Sequence, residues 1–228
     1  MNLNKGEKMK ILIVAPHPDD EVLGCGGIIS KYISQGHEVH VAIITKTCEP
    51  VFPADFDEKN KTDCLNAHKI LGVTKTHFLD FPAAMLESVP RHEFNSAIIK
   101  LIKDVAPEEV YIPHRGDMHL DHKMVVDACM VALRPRFDYV TKRIYAYETL
   151  SESEWDIPNT TNIFIPNVYV DITDYFNNKL EAMKQYKNQL SEYPNPRSLQ
   201  AIEALAMLRG STISKKYAES FMLIRDIK

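Results

Sequence analysis

The sequence has little of what marks several large classes of protein. No apolar run in its 228 residues approaches the ~20 residues of a membrane-spanning helix, and no internal repeat or low-complexity segment is visible. Lys and Arg total 27 against 31 Asp and Glu, and this net charge of -4 gives no basic surface for nucleic acid or anionic lipid. These absences exclude a transmembrane segment and favour a small polar molecule as the partner.

The four cysteines form no Cys-x-x-Cys pair, the spacing typical of structural zinc sites and redox centres. The polar leader of residues 1–8, which we expect to be flexible, precedes an apolar run too short for a signal peptide. We therefore expect a cytoplasmic protein with reduced thiols. A homo-oligomer is left open. The cysteines are Cys25, Cys48, Cys64 and Cys129.

Apolar runs rich in Val and Ile alternate with segments of helical period, which is typical of stacked βα units. We predict one α/β domain over residues 1–228, doubly wound around a mainly parallel sheet. The predicted strands are Ile11–Ala15, Val39–Thr45, His77–Leu79, Val110–Ile112, Arg143–Tyr147 and one around Val168. The predicted helices are Glu21–Gln35, Glu58–Leu71, Glu93–Val105, His119–Leu133, Thr173–Leu190 and Ser198–Leu208, the last stopped at Gly210.

A histidine and three acids follow the first predicted strand directly, in the sequence ILIVAPHPDDE. In doubly wound sheets, ligands bind beyond the carboxyl ends of the strands. Pro18 restricts His17 to extended geometry, so that the imidazole projects from the loop. Asp19 and Asp20 are neighbours and must point in different directions. One can therefore bind a metal while the other addresses what the metal holds.

Three glycines follow in the sequence VLGCGG and invite comparison with a dinucleotide-binding fingerprint. That fingerprint needs a glycine where Ile29 stands, and it needs a turn free of the carboxylates present here. Close packing of the helix on the sheet is the better interpretation of Gly24, Gly26 and Gly27.

A second polar cluster, YIPHRGDMHLDHK, follows the predicted strand that ends at Ile112. His119 and His122 stand three residues apart and share one helical face, which can aim two imidazoles at one point. His17, Asp20 and one of these two histidines make a set of three N/O ligands, the composition of a catalytic zinc site. For the other histidines an ordinary surface or core role is simpler; they are His37, His40, His68, His77 and His92.

The sequences PHPDDE and HLDH, together with VLGCGG and the carboxyl-terminal PRSLQAIEALAMLRGS, resemble the zinc-dependent N-acetylglucosaminyl deacetylases of the PIG-L/LmbE family. The resemblance implies a Rossmann-like fold and removal of the acetyl group from an N-acetylamino sugar in a glycoside, glycolipid or nucleotide sugar. It implies that His17, Asp20 and His122 hold zinc or another divalent metal. It also implies that Asp19 is the general base and that His119 stabilises the oxyanion.

The substrate side of the resemblance is weaker, because Ala83, Ala84 and Met85 stand where similar proteins carry polar residues. Sugar contacts could come from residues at strand ends, although a loop salt bridge explains each of them as well; they are Arg115, Asp117 and Glu148. Two alternatives stay open. One is a metal-dependent amidase of the same scaffold that acts on a sugar-thiol conjugate or a non-sugar amide. The other is a non-catalytic protein that binds a sugar or nucleotide.

Overall fold

The computed structural model describes residues 8–53, 55–136 and 140–228. The polar leader predicted over residues 1–8 lies, apart from its last residue, outside the described part of the chain.

Seven strands form one sheet, whose members are β1 (Lys10–Ala15), β2 (Glu38–Lys46), β3 (Lys75–Pro82), β4 (Glu109–Pro113), β5 (Arg143–Tyr147), β6 (Val168–Asp171) and β7 (Ala218–Asp226). Their spatial order is β3-β2-β1-β4-β5-β7-β6. Strands β1 to β5 pair in parallel, whereas β7 is antiparallel to both β5 and β6. The prediction of an α/β fold with a mainly parallel sheet is confirmed.

Helices cover both faces of the sheet; they are α1 (Asp20–Ser34), α2 (Phe56–Leu71), α3 (Arg91–Val105), α4 (Leu120–Ala132), α5 (Phe176–Met183) and α6 (Leu199–Ser211). Successive residues of a strand point to opposite faces, and β1 shows this directly. Ile11 and Ile13 join the core beneath α1, α2, α5 and α6, whereas Leu12 and Val14 join the core beneath α3 and α4. None of the described helices is long and apolar enough to cross a membrane.

The carboxyl-terminal helices differ from their predicted bounds. The helix predicted over Thr173–Leu190 is wrong in length, because α5 has eight residues and the chain then continues in turns. Those turns direct Tyr186 into the interior, where its hydroxyl reaches Glu21. Helix α6 does not stop at Gly210 but runs one residue further, and a Cβ at that glycine would lie 2.7 Å from the carbonyl oxygen of Lys215.

The glycines of VLGCGG let α1 approach its neighbours closely. A Cβ at Gly24 would lie 2.2 Å from the Tyr147 ring, and one at Gly27 would lie 2.6 Å from Ile172. The packing interpretation of these glycines is therefore confirmed.

A buried ion pair links this part of α1 to β7, a strand that the sequence did not reveal. Glu219 accepts hydrogen bonds of 2.8 Å from the backbone N–H groups of Gly27 and Ile28. Lys179 on α5 donates to Glu219 at 2.6 Å and to the carbonyl oxygen of Leu23 at 2.8 Å. A charged residue at the buried start of this strand is tolerated only because it is paired in this way.

Replacing Lys179 by Met is expected to lower the free energy of unfolding by about 3–5 kcal/mol, because the buried Glu219 carboxylate loses its cation. The matched control is Lys184→Met, which breaks the exposed pair between Lys184 and Glu181 and should cost less than about 1 kcal/mol. Urea unfolding of the three proteins measures the difference. Equal losses in the two variants would show that the buried pair has no special role.

Candidate active site

The two polar motifs meet at the point where the strand order of the sheet reverses. Strands β1 and β4 are parallel neighbours, and the connections that follow them lead to opposite sides of the sheet. A crevice forms outside the carboxyl ends of strands at such a switch point. His17 follows β1, and His119 precedes α4 in the segment after β4. The structure therefore brings the two motifs to one place.

Three side chains there converge as a metal-ligand set would. Potential ligand atoms of His17, Asp20 and His122 all lie within 4.8 Å of one another. Asp20 Oδ2 is 3.3 Å from His17 Nδ1 and 3.2 Å from His122 Nε2. Despite this proximity, His122 Nε2 and Asp20 Oδ1 are buried without a hydrogen-bond partner among the described residues. Buried polar atoms without partners are costly, and a cation between them would satisfy both, so the residues fit a divalent ion.

Charge in this cluster also favours a cation. Burial lowers the pKa of His122, but the carboxylates of Asp20 and Asp117 outweigh it and raise the pKa well above its usual value. Burial raises the pKa of Asp20, but His122 and His17 outweigh it and hold the pKa well below its usual range. A bound dication would supply the positive charge that compensates these carboxylates, which protonated histidines supply without it.

Asp117 lies behind His122 and is completely buried. Its Oδ2 is 2.8 Å from His122 Nδ1, and Ser153 donates to its Oδ1 at 2.5 Å. A carboxylate on the second ring nitrogen is the usual way in which a metal-binding histidine is oriented. The structure thus places Asp117 where it can orient His122, and not at the cavity surface where the sequence suggested a sugar contact.

His17 has an acid at each ring nitrogen. Its Nε2 is 3.0 Å from Asp121 Oδ2, on the side opposite Asp20. Burial lowers the pKa of His17, but hydrogen bonds to Asp121 and Asp20 outweigh it and raise the pKa to about 9. Asp121 is fixed in turn by the backbone N–H of Ala84 at 2.8 Å.

Asp19 points away from Asp20, as expected for adjacent residues with different roles. Its backbone φ of +116° lies in a region that L-residues rarely adopt, directly before α1. Its Oδ2 accepts a 2.5 Å hydrogen bond from Arg197 Nη1. Burial raises the pKa of Asp19 to about 8, against the opposing effect of Arg197. A pKa near neutrality suits a group that takes up and returns a proton.

A buried network holds this unusual backbone in place. Glu21 Oε2 accepts a 3.1 Å hydrogen bond from the backbone N–H of Asp19. Glu21 Oε1 accepts from the hydroxyl of Tyr186 and lies 3.3 Å from His68 Nε2. His68 Nδ1 is 2.7 Å from Thr76 Oγ1. The sequence placed Glu21 only at a helix start and His68 among ordinary histidines, because partners so far apart leave no local pattern.

Tyr186→Phe is expected to lower kcat without lowering metal content, because Glu21 loses a donor and Asp19 its fixed position. The free energy of unfolding should fall by about 1–3 kcal/mol, as for a hydrogen bond to a charged group. The matched control is Tyr32→Phe, which removes a 2.9 Å hydrogen bond to Glu109 at the other end of the sheet. It should lose stability and keep kcat. If both variants keep kcat, the Glu21 network does not position Asp19.

The contacts of His119 fix the tautomer of its neutral imidazole. Its Nδ1 accepts a 3.1 Å hydrogen bond from the backbone N–H of Asp121, so the proton is on Nε2. Its own backbone N–H donates to Glu152 Oε2 at 3.1 Å. Burial, and next the nearby His17, lower the pKa of His119 to about 4. The neutral tautomer leaves Nε2–H available for an oxyanion.

A cavity of about 310 Å³ opens over these groups. Its reactive side chains are those of His17, Asp19 and His119, with Glu152 and Arg197 beside them. The remaining lining residues are Pro18, Thr45, Thr47, Phe52, Phe56, Asn60, Ala83, Ala84, Ser151 and Gln189.

Two of the predicted sugar contacts lie away from this cavity. Arg115 is 70% exposed and pairs with Asp127 at 2.9 Å on the surface. Glu148 forms a pair of hydrogen bonds with Arg209 and lines a separate cavity of about 340 Å³. Arg197 lies outside both polar motifs of the sequence but contacts Asp19 directly. The one local signal for Arg197 is its position in PNPR, because a turn with two prolines holds its side chains in a defined place.

Comparison with known proteins gives a consistent result. Residues 12–133, which include both motifs, match the family model PIG-L, described as GlcNAc-PI de-N-acetylase. An uncharacterized deacetylase of Escherichia coli K12, YaiS, is 31% identical over 193 residues, 82% of this chain and 95% of that protein. The diacetylchitobiose deacetylase of Thermococcus kodakarensis is 26% identical over 232 residues, 96% of this chain and 84% of that protein.

The fold is shared with proteins of different chemistry. The crystal structure of GalB, the 4-carboxy-2-hydroxymuconate hydratase of Pseudomonas putida KT2440, superposes with a TM-score of 0.77 at 18% identity. The alignment covers 95% of this chain and 96% of that one. Because one scaffold serves more than one reaction, the side chains in the cavity have to identify the chemistry.

Proposed function

The chain belongs to the PIG-L family, and from that membership we propose that it is a zinc-dependent hydrolase that removes the acetyl group from an N-acetylamino sugar. The observation that carries this proposal is the placement of Asp19 and His119 in one cavity beside the cluster of His17, Asp20 and His122. A base and a neutral donor next to a cation site are what amide hydrolysis requires. The name of the Thermococcus relative supports an N-acetylated sugar as the substrate class.

The proposed metal ligands are His17, Asp20 and His122, whose N/O composition suits zinc. When bound there, a zinc ion lowers the pKa of water and polarises the acetamide carbonyl. Asp117 keeps His122 in the tautomer that presents Nε2 to the ion.

The chain's own residues supply the rest of the reaction. Asp19 accepts a proton from the attacking water while the water oxygen bonds to the acetamide carbon. His119 Nε2–H donates to the carbonyl oxygen as negative charge develops there, a contribution typically worth ~3–4 kcal/mol. The C–N bond then breaks, acetate leaves, and the amine takes the proton that Asp19 returns; His119 could deliver it instead only if Asp19 passes its proton on to His119. Arg197 holds the Asp19 carboxylate in position between these steps.

The proposal extends to the setting of the enzyme. All four cysteines are free, three of them buried, which supports a reducing compartment such as the cytoplasm. Residues 1–228 are proposed to form one deacetylase domain.

Acetate release from a panel of N-acetylated amino sugars tests the proposal. We expect acetate and free amine in equal amounts with the zinc-loaded protein, and no release after chelation until zinc is restored. Release from simple amides but not from amino sugars would favour an amidase. Binding of sugars without turnover by the fully loaded protein would favour a non-catalytic binding protein.

A further inference from the structure

Helix α2 turns a stripe of polar side chains towards the interior. Asn60, Cys64 and His68 stand four residues apart, share one face of the helix and are all buried. The buried face of a helix is normally apolar, so packing alone does not account for these side chains. Asn60 lines the active-site cavity, which places Cys64 one turn and His68 two turns further along the helix from the cavity wall.

Glu21 completes a set of three possible metal ligands with Cys64 and His68. Ligand atoms of the three lie within 4.8 Å of one another. His68 Nε2 is 3.6 Å from Cys64 Sγ and 3.3 Å from Glu21 Oε1. A tetrahedral zinc-sized ion with bonds of about 2.3 Å to sulfur and about 2.0–2.1 Å to nitrogen and oxygen separates sulfur from nitrogen by about 3.5–3.6 Å and nitrogen from oxygen by about 3.3–3.4 Å. The side chains therefore stand close to the geometry of a tetrahedral site.

The second ring nitrogen of His68 has the partner that a metal-bound imidazole needs. His68 Nδ1 is 2.7 Å from the hydroxyl oxygen of Thr76. A hydroxyl both donates and accepts, so Thr76 serves His68 with the ring proton on either nitrogen. With the proton on Nδ1, Nε2 is free to bind an ion. Asp117 stands behind His122 in the same manner, and such an outer partner orients the ring.

The chemistry of the set selects a thiophilic divalent cation. It offers a thiolate, an imidazole and a carboxylate, whereas the catalytic set around Asp20 has no sulfur. The Cys64 thiolate and the Glu21 carboxylate carry two negative charges, which neutralise a dication but not a monovalent ion. The occupied set is then neutral and does not repel the cation of the catalytic set.

Zinc is expected to fill the catalytic set first. An ion there relieves His122 Nε2 and Asp20 Oδ1, which are buried without hydrogen-bond partners among the described residues. An ion at Cys64 has to replace existing hydrogen bonds and displace the thiol proton to solvent. Burial, and next the charge of Glu21, raise the pKa of this thiol well above its usual value. The set on α2 is thus left to an ion that prefers sulfur more strongly than zinc does.

We propose that Glu21, Cys64 and His68 form a second cation site, selective for a thiophilic divalent ion, whose occupation slows the enzyme. The effect on catalysis follows from Glu21, because its Oε2 accepts the 3.1 Å hydrogen bond from the backbone N–H of Asp19. Tyr186 and His68 fix this carboxylate through Oε1. An ion that takes Oε1 replaces both contacts and draws the carboxylate away from Asp19. The inhibition rests on the proposed deacetylase function, whereas the binding does not.

The test adds Cd²⁺ to the zinc-loaded enzyme and follows metal content, the near-ultraviolet absorption of a cadmium–thiolate bond, and kcat. We expect one cadmium to bind beside the retained zinc in each chain and the thiolate band to appear. In proportion to the band, kcat should fall by at least about 10-fold, the usual scale for loss of an orienting partner. Cadmium in the catalytic set would have no sulfur ligand and would displace the zinc.

Three variants identify the ligands. Cys64→Ser removes the sulfur, so that cadmium should produce neither the band nor a fall in kcat relative to the same variant without cadmium. His68→Gln keeps the thiol and a hydrogen-bonding side chain, and it should weaken cadmium binding by at least about 10-fold. The matched control is Cys48→Ser, which removes a partly exposed thiol and should leave both responses unchanged.

The outcomes separate the two proposals. Absence of the band, its persistence in Cys64→Ser, or unweakened binding in His68→Gln would overturn the second site. Loss of the band in Cys48→Ser would assign the ion to that thiol and overturn it as well. So would an undiminished kcat at full cadmium occupancy, or a fall in kcat that follows loss of zinc. No acetate release before cadmium is added would instead overturn the proposed function, and the band would still decide the cation site.

Discussion

Asp19→Asn is expected to lower kcat by about 10² to 10⁴, the usual worth of a general base, while the protein still folds and holds its metal. The side chain keeps its shape and can still accept from Arg197 through the amide oxygen, but it can no longer take up a proton. Steady-state acetate release measured beside the metal content of the same sample gives both quantities.

The informative comparison is Asp20→Asn, at the chemically identical neighbour. Because Asp20 lies between His17 and His122, this variant should lose metal and recover part of its activity in excess zinc. If zinc instead rescues Asp19→Asn, the roles of the two aspartates are reversed. A near-native kcat in Asp19→Asn would show that Asp19 is not the general base.

His122→Ala is expected to reduce metal occupancy sharply and to abolish detectable turnover, because a three-residue site loses one ligand. Asp117→Asn should have a smaller effect, a loss of about 10- to 100-fold in metal affinity or activity, since Asp117 only orients the imidazole. Metal analysis and zinc titration of both variants give their metal occupancy and zinc affinity for direct comparison.

His114→Ala is the control for this series, because His114 is a buried histidine of the same motif outside the ligand cluster. Its Nε2 is 3.0 Å from the carbonyl oxygen of Asn162. It should keep full occupancy even if stability falls. Full metal content in His122→Ala would contradict the ligand assignment and direct attention to His114 or His119.

The amino-terminal half of the fold was readable from the sequence because parallel strands buried on both faces appear as continuous apolar runs. Strand β5 matches its predicted bounds, Arg143–Tyr147, and β1 begins one residue early. Strand β7 was missed because its interior carries Glu219, which is stable there only through Lys179, 40 residues earlier in the chain. No local sequence pattern predicts that Lys179 pairs with Glu219.

Some residues of the candidate site could be predicted from the sequence, and others could not. His17, Asp20, His119 and His122 lie in two short motifs after adjacent strands, so topology alone predicts that they meet. Arg197 reaches Asp19 across 178 residues, and its role depends on how the turn after α5 folds back over the cavity. Long-range contacts of this kind need a structure, as do the substrate contacts of a cavity built from several loops.

The most direct test of a metal-dependent N-deacetylase is a zinc titration of the metal-stripped protein with an uncharged N-acetylglucosamine glycoside as substrate. We predict that the rate of acetate release rises in proportion to bound zinc and reaches its plateau at one zinc per chain, with one free amine for each acetate. Undiminished acetate release by the stripped protein, or no release at full zinc occupancy, would contradict that claim.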